Sequence, residues 1–185
     1  MTIPNILTCI RVALIPVFLA LVYRHDPICD WIALAVFVIA CITDFVDGKL
    51  ARKWNQVTNF GKFMDPVADK LLVMAALLIF VEEGMIAAWM VAVILGREFL
   101  VSSLRMVAAS SGKVIAANYW GKAKTMITMI TLIFLLLRLQ PVMLGTVSLQ
   151  SILIWLTVLV TAISGATYVI DNFEVVKDGF TQKGA

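Results

Sequence analysis

Four aspartates, Asp44, Asp47, Asp65 and Asp69, stand close together in a chain of 185 residues that holds only 12 acidic side chains. On a helix Asp44, Asp47, Gly48 and Ala51 share one face, because positions i, i+3, i+4 and i+7 are neighbours. Two carboxylates then project beside two residues with almost no side chain, which leaves room for a bulky ligand near the backbone. Arg52 follows one step round, and its planar fork can grip a phosphate through two parallel hydrogen bonds. Asp65 and Asp69 are i and i+4 on the next helix, where Pro66 suits a first-turn position that needs no N–H. Four carboxylates form an all-oxygen donor set suited to Mg²⁺ or Mn²⁺. Their mutual repulsion favours two cations over one, and a metal pair about 3.5–4 Å apart is the usual clamp for displacement at phosphorus. A cation or proton transporter could also use intramembrane carboxylates, but it would have no need of Gly48, Ala51 and Arg52.

The elements that carry these residues are strongly apolar. The chain is 62% hydrophobic and 15% charged, with a mean hydropathy of +0.98, whereas soluble domains carry about 25% charged residues. This composition predicts an all-α integral membrane protein. Six segments near 5–23, 30–50, 66–82, 86–108, 120–138 and 148–170 approach the ~20 residues needed to cross a bilayer. They make one six-helix membrane catalytic domain over residues 1–170, followed by a short polar tail over 171–185. No cleavage site follows the first segment, which is therefore expected to remain as the first span. Cys9, Cys29 and Cys41 lack the spacing of a disulfide framework or a metal site and are expected to serve packing.

The distribution of basic residues sets the orientation. With both termini cytoplasmic, only Arg24 and Arg138 of the 15 Lys and Arg residues fall outside, a strong positive-inside asymmetry. Asp44 and Asp47 then close the second span and Asp65 and Asp69 open the third, all at the cytoplasmic leaflet.

Charges recur in the later segments. Glu98, Ser102 and Arg105 form one stripe of the fourth segment with Arg97 alongside, and Lys122 and Lys124 open the fifth. Near the aspartates, Arg97, Arg105, Lys122 and Lys124 would make a basic pocket for an anionic group. A structural Arg97–Glu98 contact with snorkelling lysines is the alternative. Toward the N-terminus, Asn5 or Thr8 reads as a helix cap and Arg11 as an interfacial anchor. His25, in a loop, has no assigned role.

Asp44, Asp47, Gly48, Ala51, Arg52, Gly61, Asp65 and Asp69 fill the pattern D-x2-D-G-x2-A-R-x8-G-x3-D-x3-D without a departure. This resembles the signature of the CDP-alcohol phosphatidyltransferase family, and eight fixed positions make it far more specific than a lone DxxD. The opening Ile3-Pro4-Asn5-Ile6-Leu7-Thr8, the stretch Gly96-Arg97-Glu98-Phe99 and the stretch Gly121-Lys122-Ala123-Lys124-Thr125 are similar to the branch that uses sn-glycerol 3-phosphate as acceptor. The resemblance implies the family's six-helix membrane fold, usually a homodimer, in a bacterial cytoplasmic membrane with the site facing the cytosol. The implied reaction transfers the phosphatidyl group of CDP-diacylglycerol to sn-glycerol 3-phosphate, giving phosphatidylglycerophosphate and CMP, with no nucleic acid involved.

On this basis Asp44, Asp47 and Asp65 hold two divalent cations, with Asp69 in or beside the cluster. Asp69 is also the candidate base. Gly48, Ala51, Arg52 and Gly61 flank the nucleotide, and Asn5 and Thr8 lie near its cytidine end. Arg97, Arg105, Lys122 and Lys124 hold the acceptor phosphate. The nearest alternative is a sister transferase acting on serine, inositol phosphate or a phospholipid. A membrane prenyltransferase shares the use of aspartate-bound metal but not this spacing.

Overall fold

The computed structural model describes residues 3–53, 59–110, 119–139, 143–144 and 146–173, with backbone alone for residues 3–6, 44–53, 59–66, 69, 110 and 144. Six helices account for most of them: α1 (Ile3–Val22), α2 (Pro27–Lys53), α3 (Asn59–Glu82), α4 (Ala88–Ser110), α5 (Tyr119–Leu136) and α6 (Leu149–Asp171). Each coincides with one of the six apolar segments. Before α6, β1 (Met143–Leu144) and β2 (Val147–Ser148) pair antiparallel, with Met143 opposite Ser148 and Leu144 opposite Val147. Sequence hydropathy did not anticipate this small hairpin. The tail beyond residue 173, the Lys113 region and residues 54–58 lie outside the described residues.

Helix α3 begins at Asn59, well before the expected start near 66. Pro66 is therefore about two turns inside the helix, not in its first turn, and its missing N–H leaves the carbonyl of Lys62 without a backbone donor. Gly61 lies at the start of α3 and not in the connection. Helix α2 likewise continues to Lys53, past the expected end near 50.

The ends of α2 and α6 follow local chemistry. The Asp26 carboxylate accepts from the backbone N–H groups of Ile28 and Cys29, at 2.9 and 3.3 Å, just ahead of Pro27. That pairs a capping acid with proline at the first helical position. Ser148 caps α6 by accepting from the N–H of Ser151 at 3.2 Å.

The chain forms two compact units. The first comprises residues 1–83 with 132–140, and the second residues 84–131 with 141–185. In the first unit α1 packs against both α2 and α3, which also touch each other. Phe18 and Phe37 meet there at 5.9 Å between ring centroids, among buried Val22, Ala33, Leu72, Ala76 and Phe80. In the second unit α4 packs on α6. Trp89 and Trp155 meet in a tilted contact at 5.7 Å between ring centroids, and the hydroxyls of Thr131 and Thr157 meet at 2.8 Å to join α5 to α6.

Many large apolar side chains point outward, among them Ile28, Ile39, Ile42, Leu78, Met106, Met126, Leu159 and Ile170. Among the described residues Leu149–Asp171 is long and apolar enough to cross a membrane, and Leu7–Val22 and Pro27–Thr43 are shorter apolar stretches. Cys9 belongs to the outward set, so it does not pack the interior as expected, while Cys29 and Cys41 are half-buried.

One end of the first unit is tied by charge. Arg138 pairs with Asp30 at 3.0 Å and with Glu83, linking the close of α5 to the start of α2 and the end of α3. The Tyr23 hydroxyl donates to Glu82 at 2.6 Å, and that carboxylate holds the phenol's pKa above its ordinary value. Replacing Arg138 leaves two mostly buried carboxylates without their shared cation. Arg138→Ala should therefore destabilise the purified protein by about 2 kcal/mol, measured as a lowered melting temperature in detergent.

Candidate active site

The backbone places the motif residues on two helices of one unit. Asp44, Asp47, Gly48, Ala51 and Arg52 occupy the last turns of α2, and Gly61, Asp65 and Asp69 the first three turns of α3. Asp44, Asp47, Gly48 and Ala51 share a helical face, as their spacing requires. The donor set is four hard carboxylate oxygens on two helices that touch each other, which fits divalent cations such as Mg²⁺ or Mn²⁺ and not softer metals.

Helix α1 contributes what the sequence did not disclose. It begins at Ile3, so Asn5 and Thr8 lie within the helix and neither caps it. Thr8 and Arg11, one turn apart, are both buried, and Arg11 is only 1% exposed. An interfacial anchor would keep its guanidinium in water, so Arg11 is instead a buried cation. From the α1–α2 turn, Arg11 lies about 16 Å back along α1. Its side chain is tilted further toward the helix N-terminus, the direction in which α2 approaches Asp44. Helix α1 packs against both α2 and α3. The sequence shows Thr8 and Arg11 only as an i and i+3 polar pair within an apolar run, which does not tell burial from anchoring.

The second unit holds the basic residues. Glu98 lies between two cations and accepts through the same oxygen, Oε1, from Arg97 Nη1 at 2.7 Å and Lys124 Nζ at 2.8 Å. Lys124 is 4% exposed, Arg97 10% and Glu98 20%. Arg97 Nη2 donates to Ser164 Oγ on α6 at 2.6 Å. Arg105, further along α4, donates from Nε to the Tyr168 hydroxyl at 3.3 Å, with its guanidinium 5.6 Å from the centre of that ring. The structure thus joins Arg97 to Lys124 through Glu98 and seats Arg97 and Arg105 on α6. Lys122 is exposed and is not drawn into these contacts.

The expected Arg97–Glu98 contact is present, but Lys124 does not snorkel, because its ammonium is spent on Glu98. Ser164 and Tyr168 are functional candidates that sequence reasoning missed. Their sequence trace is a small and polar step, Ser164-Gly165-Ala166-Thr167-Tyr168, near the end of a mostly apolar helix.

Residues 1–163 match the CDP-alcohol phosphatidyltransferase family. The chain belongs to that family, which is membrane-embedded and generally dependent on divalent cations. Its relatives sharpen the likeness. It is 43% identical to the CDP-diacylglycerol–glycerol-3-phosphate 3-phosphatidyltransferase of Bacillus subtilis, covering 94% of this chain and 96% of that one. It is 37% identical to the Rickettsia bellii protein of the same name over 89% and 92% of the two chains. Against the Haemophilus influenzae protein of that name it is 43% identical over 74% and 76%.

The shared carboxylate gives a direct test. Glu98→Gln would leave Lys124 and Arg97 without their common anion and should cost about 2–3 kcal/mol, discounted for the exposed fifth of Glu98. A thermal melt of the variant against the wild type reads this loss.

Proposed function

We propose that this chain transfers the phosphatidyl group from CDP-diacylglycerol to sn-glycerol 3-phosphate, releasing CMP and forming phosphatidylglycerophosphate. The observation that carries this reading is the 43% identity to a glycerol-3-phosphate phosphatidyltransferase across nearly the full length of both chains. The intact eight-residue motif supports it, since no position of the expected chemistry is substituted. The protein is read as six membrane spans with both termini in the cytoplasm of a bacterial cell, acting as a homodimer in the cytoplasmic membrane. The outward apolar side chains favour a lipid surround, because so many would be costly in water. Positive-inside asymmetry favours the orientation.

Asp44, Asp47, Asp65 and Asp69 would hold two divalent cations, Mg²⁺ or Mn²⁺. When bound, such cations neutralise the pyrophosphate and withdraw charge from the attacked phosphorus. Gly48 and Ala51 leave the face of α2 open for the nucleotide, Gly61 keeps the start of α3 narrow, and Arg52 binds the nucleotide phosphates. Asn5 and Thr8 lie toward the cytidine end. Arg97, Arg105, Lys122 and Lys124 bind and orient the acceptor phosphate, with Lys124 and Arg97 held in place by Glu98.

The primary hydroxyl of sn-glycerol 3-phosphate attacks the phosphorus that bears the diacylglycerol. A new O–P bond forms as the bond to the bridging oxygen breaks, and CMP leaves with that electron pair. Asp69 accepts the hydroxyl proton. The acyl chains remain in the leaflet throughout, so only the head group needs to enter the protein.

Purified protein given CDP-diacylglycerol and labelled sn-glycerol 3-phosphate should release CMP and form labelled lipid only with Mg²⁺ or Mn²⁺ present. Asp65→Asn should lower the rate by at least about 100-fold. CMP release that persists in EDTA would refute the metal assignment, and efficient use of serine or inositol phosphate in place of glycerol 3-phosphate would refute the acceptor.

A further inference from the structure

Arg97 and Arg105 are eight residues apart on α4, about 12 Å along the helix. Their partners on α6, Ser164 and Tyr168, are four residues apart, about 6 Å. The two helices run in the same direction, since Trp89 meets Trp155, Arg97 meets Ser164 and Arg105 meets Tyr168 in ascending order. The sequence separation of partners falls from 67 at Arg97 to 63 at Arg105. Arg105 therefore leans back by one helical turn, toward the N-terminus of α4, the direction in which helical side chains are tilted. Both guanidinium groups are thereby anchored within about one turn of each other, a span that a single phosphate can bridge.

Gly165 completes the arrangement. A Cβ on it would stand 3.0 Å from Arg97 Cγ, so the stem of Arg97 lies directly against the α6 backbone. Ser164 and Tyr168 are both buried. Arg97 Nε is itself buried and has no hydrogen-bond partner among the described residues. A buried donor left in this state calls for an acceptor, and Arg97 still has N–H groups to offer beyond those given to Glu98 and Ser164.

We propose that α6 is the positioning element of the acceptor-phosphate site. Ser164, Gly165 and Tyr168 set the spacing of Arg97 and Arg105 so that both guanidinium groups meet one phosphate, which makes the site selective for phosphorylated acceptors. This rests on the reading of the protein as a glycerol-3-phosphate phosphatidyltransferase. The three α6 residues act through the arginines and do not themselves touch substrate.

The test compares wild type with Tyr168→Phe and Gly165→Ala in detergent micelles, measuring CMP release while each substrate is varied in turn. Tyr168→Phe keeps the ring beneath Arg105 and removes only the hydroxyl. Gly165→Ala displaces the stem of Arg97. Each should raise the KM for sn-glycerol 3-phosphate roughly tenfold, about the worth of one hydrogen bond to a charged group. The KM for CDP-diacylglycerol should stay within twofold of wild type. A general packing defect would instead shift both KM values or kcat together, and that result overturns the proposal. Unchanged KM for glycerol 3-phosphate in the Tyr168→Phe enzyme also overturns it, even if Gly165→Ala fails to fold. A wild-type protein that releases CMP with no use of glycerol 3-phosphate overturns the underlying function, whereas an active wild type with indifferent variants overturns the α6 role alone.

Discussion

Desolvation of charge governs this molecule. A guanidinium, ammonium or carboxylate taken out of water costs several kcal/mol unless an opposite charge or a set of hydrogen bonds replaces the lost hydration. In a chain that is 62% hydrophobic there is little polar surface to spare for that purpose. The buried charges must therefore be matched among themselves. Glu98 answers both Arg97 and Lys124 with a single oxygen, Arg138 answers both Asp30 and Glu83, and Arg11 is buried on α1.

The cluster around Arg138 holds the ends of α2, α3 and α5 together. The cluster around Arg97 joins α4 to α5 and α6, and its Nε is buried without an acceptor among the described residues.

Packing and chemistry are coupled through small residues. Gly165 lets α6 approach Arg97 closely enough for Ser164 to take a hydrogen bond from its fork. Close approach of backbones is the usual way in which helices in an apolar surround gain contact. Here it also sets where charged groups stand.

The sequence by itself determined what depends on chain-local periodicity. All six helices coincide with apolar segments, and the one-face arrangement of Asp44, Asp47, Gly48 and Ala51 follows from the helical repeat alone. The motif was fully legible because its eight positions lie on two consecutive helices. Helix ends were less legible: Asn59 to Asp65 has few apolar residues, so hydropathy placed the start of α3 a full two turns late. The short β1–β2 pair left no hydropathy trace at all.

Only the tertiary structure decided which residues meet across helices. Nothing in the order of residues links Arg97 to Ser164 or Arg105 to Tyr168, which are more than 60 positions apart, because those contacts arise when α4 packs on α6. Nor could the sequence distinguish an anchoring Arg11 from a buried one, since both occupy the same place in an apolar run. Burial is a property of what lies opposite, and that is set by packing.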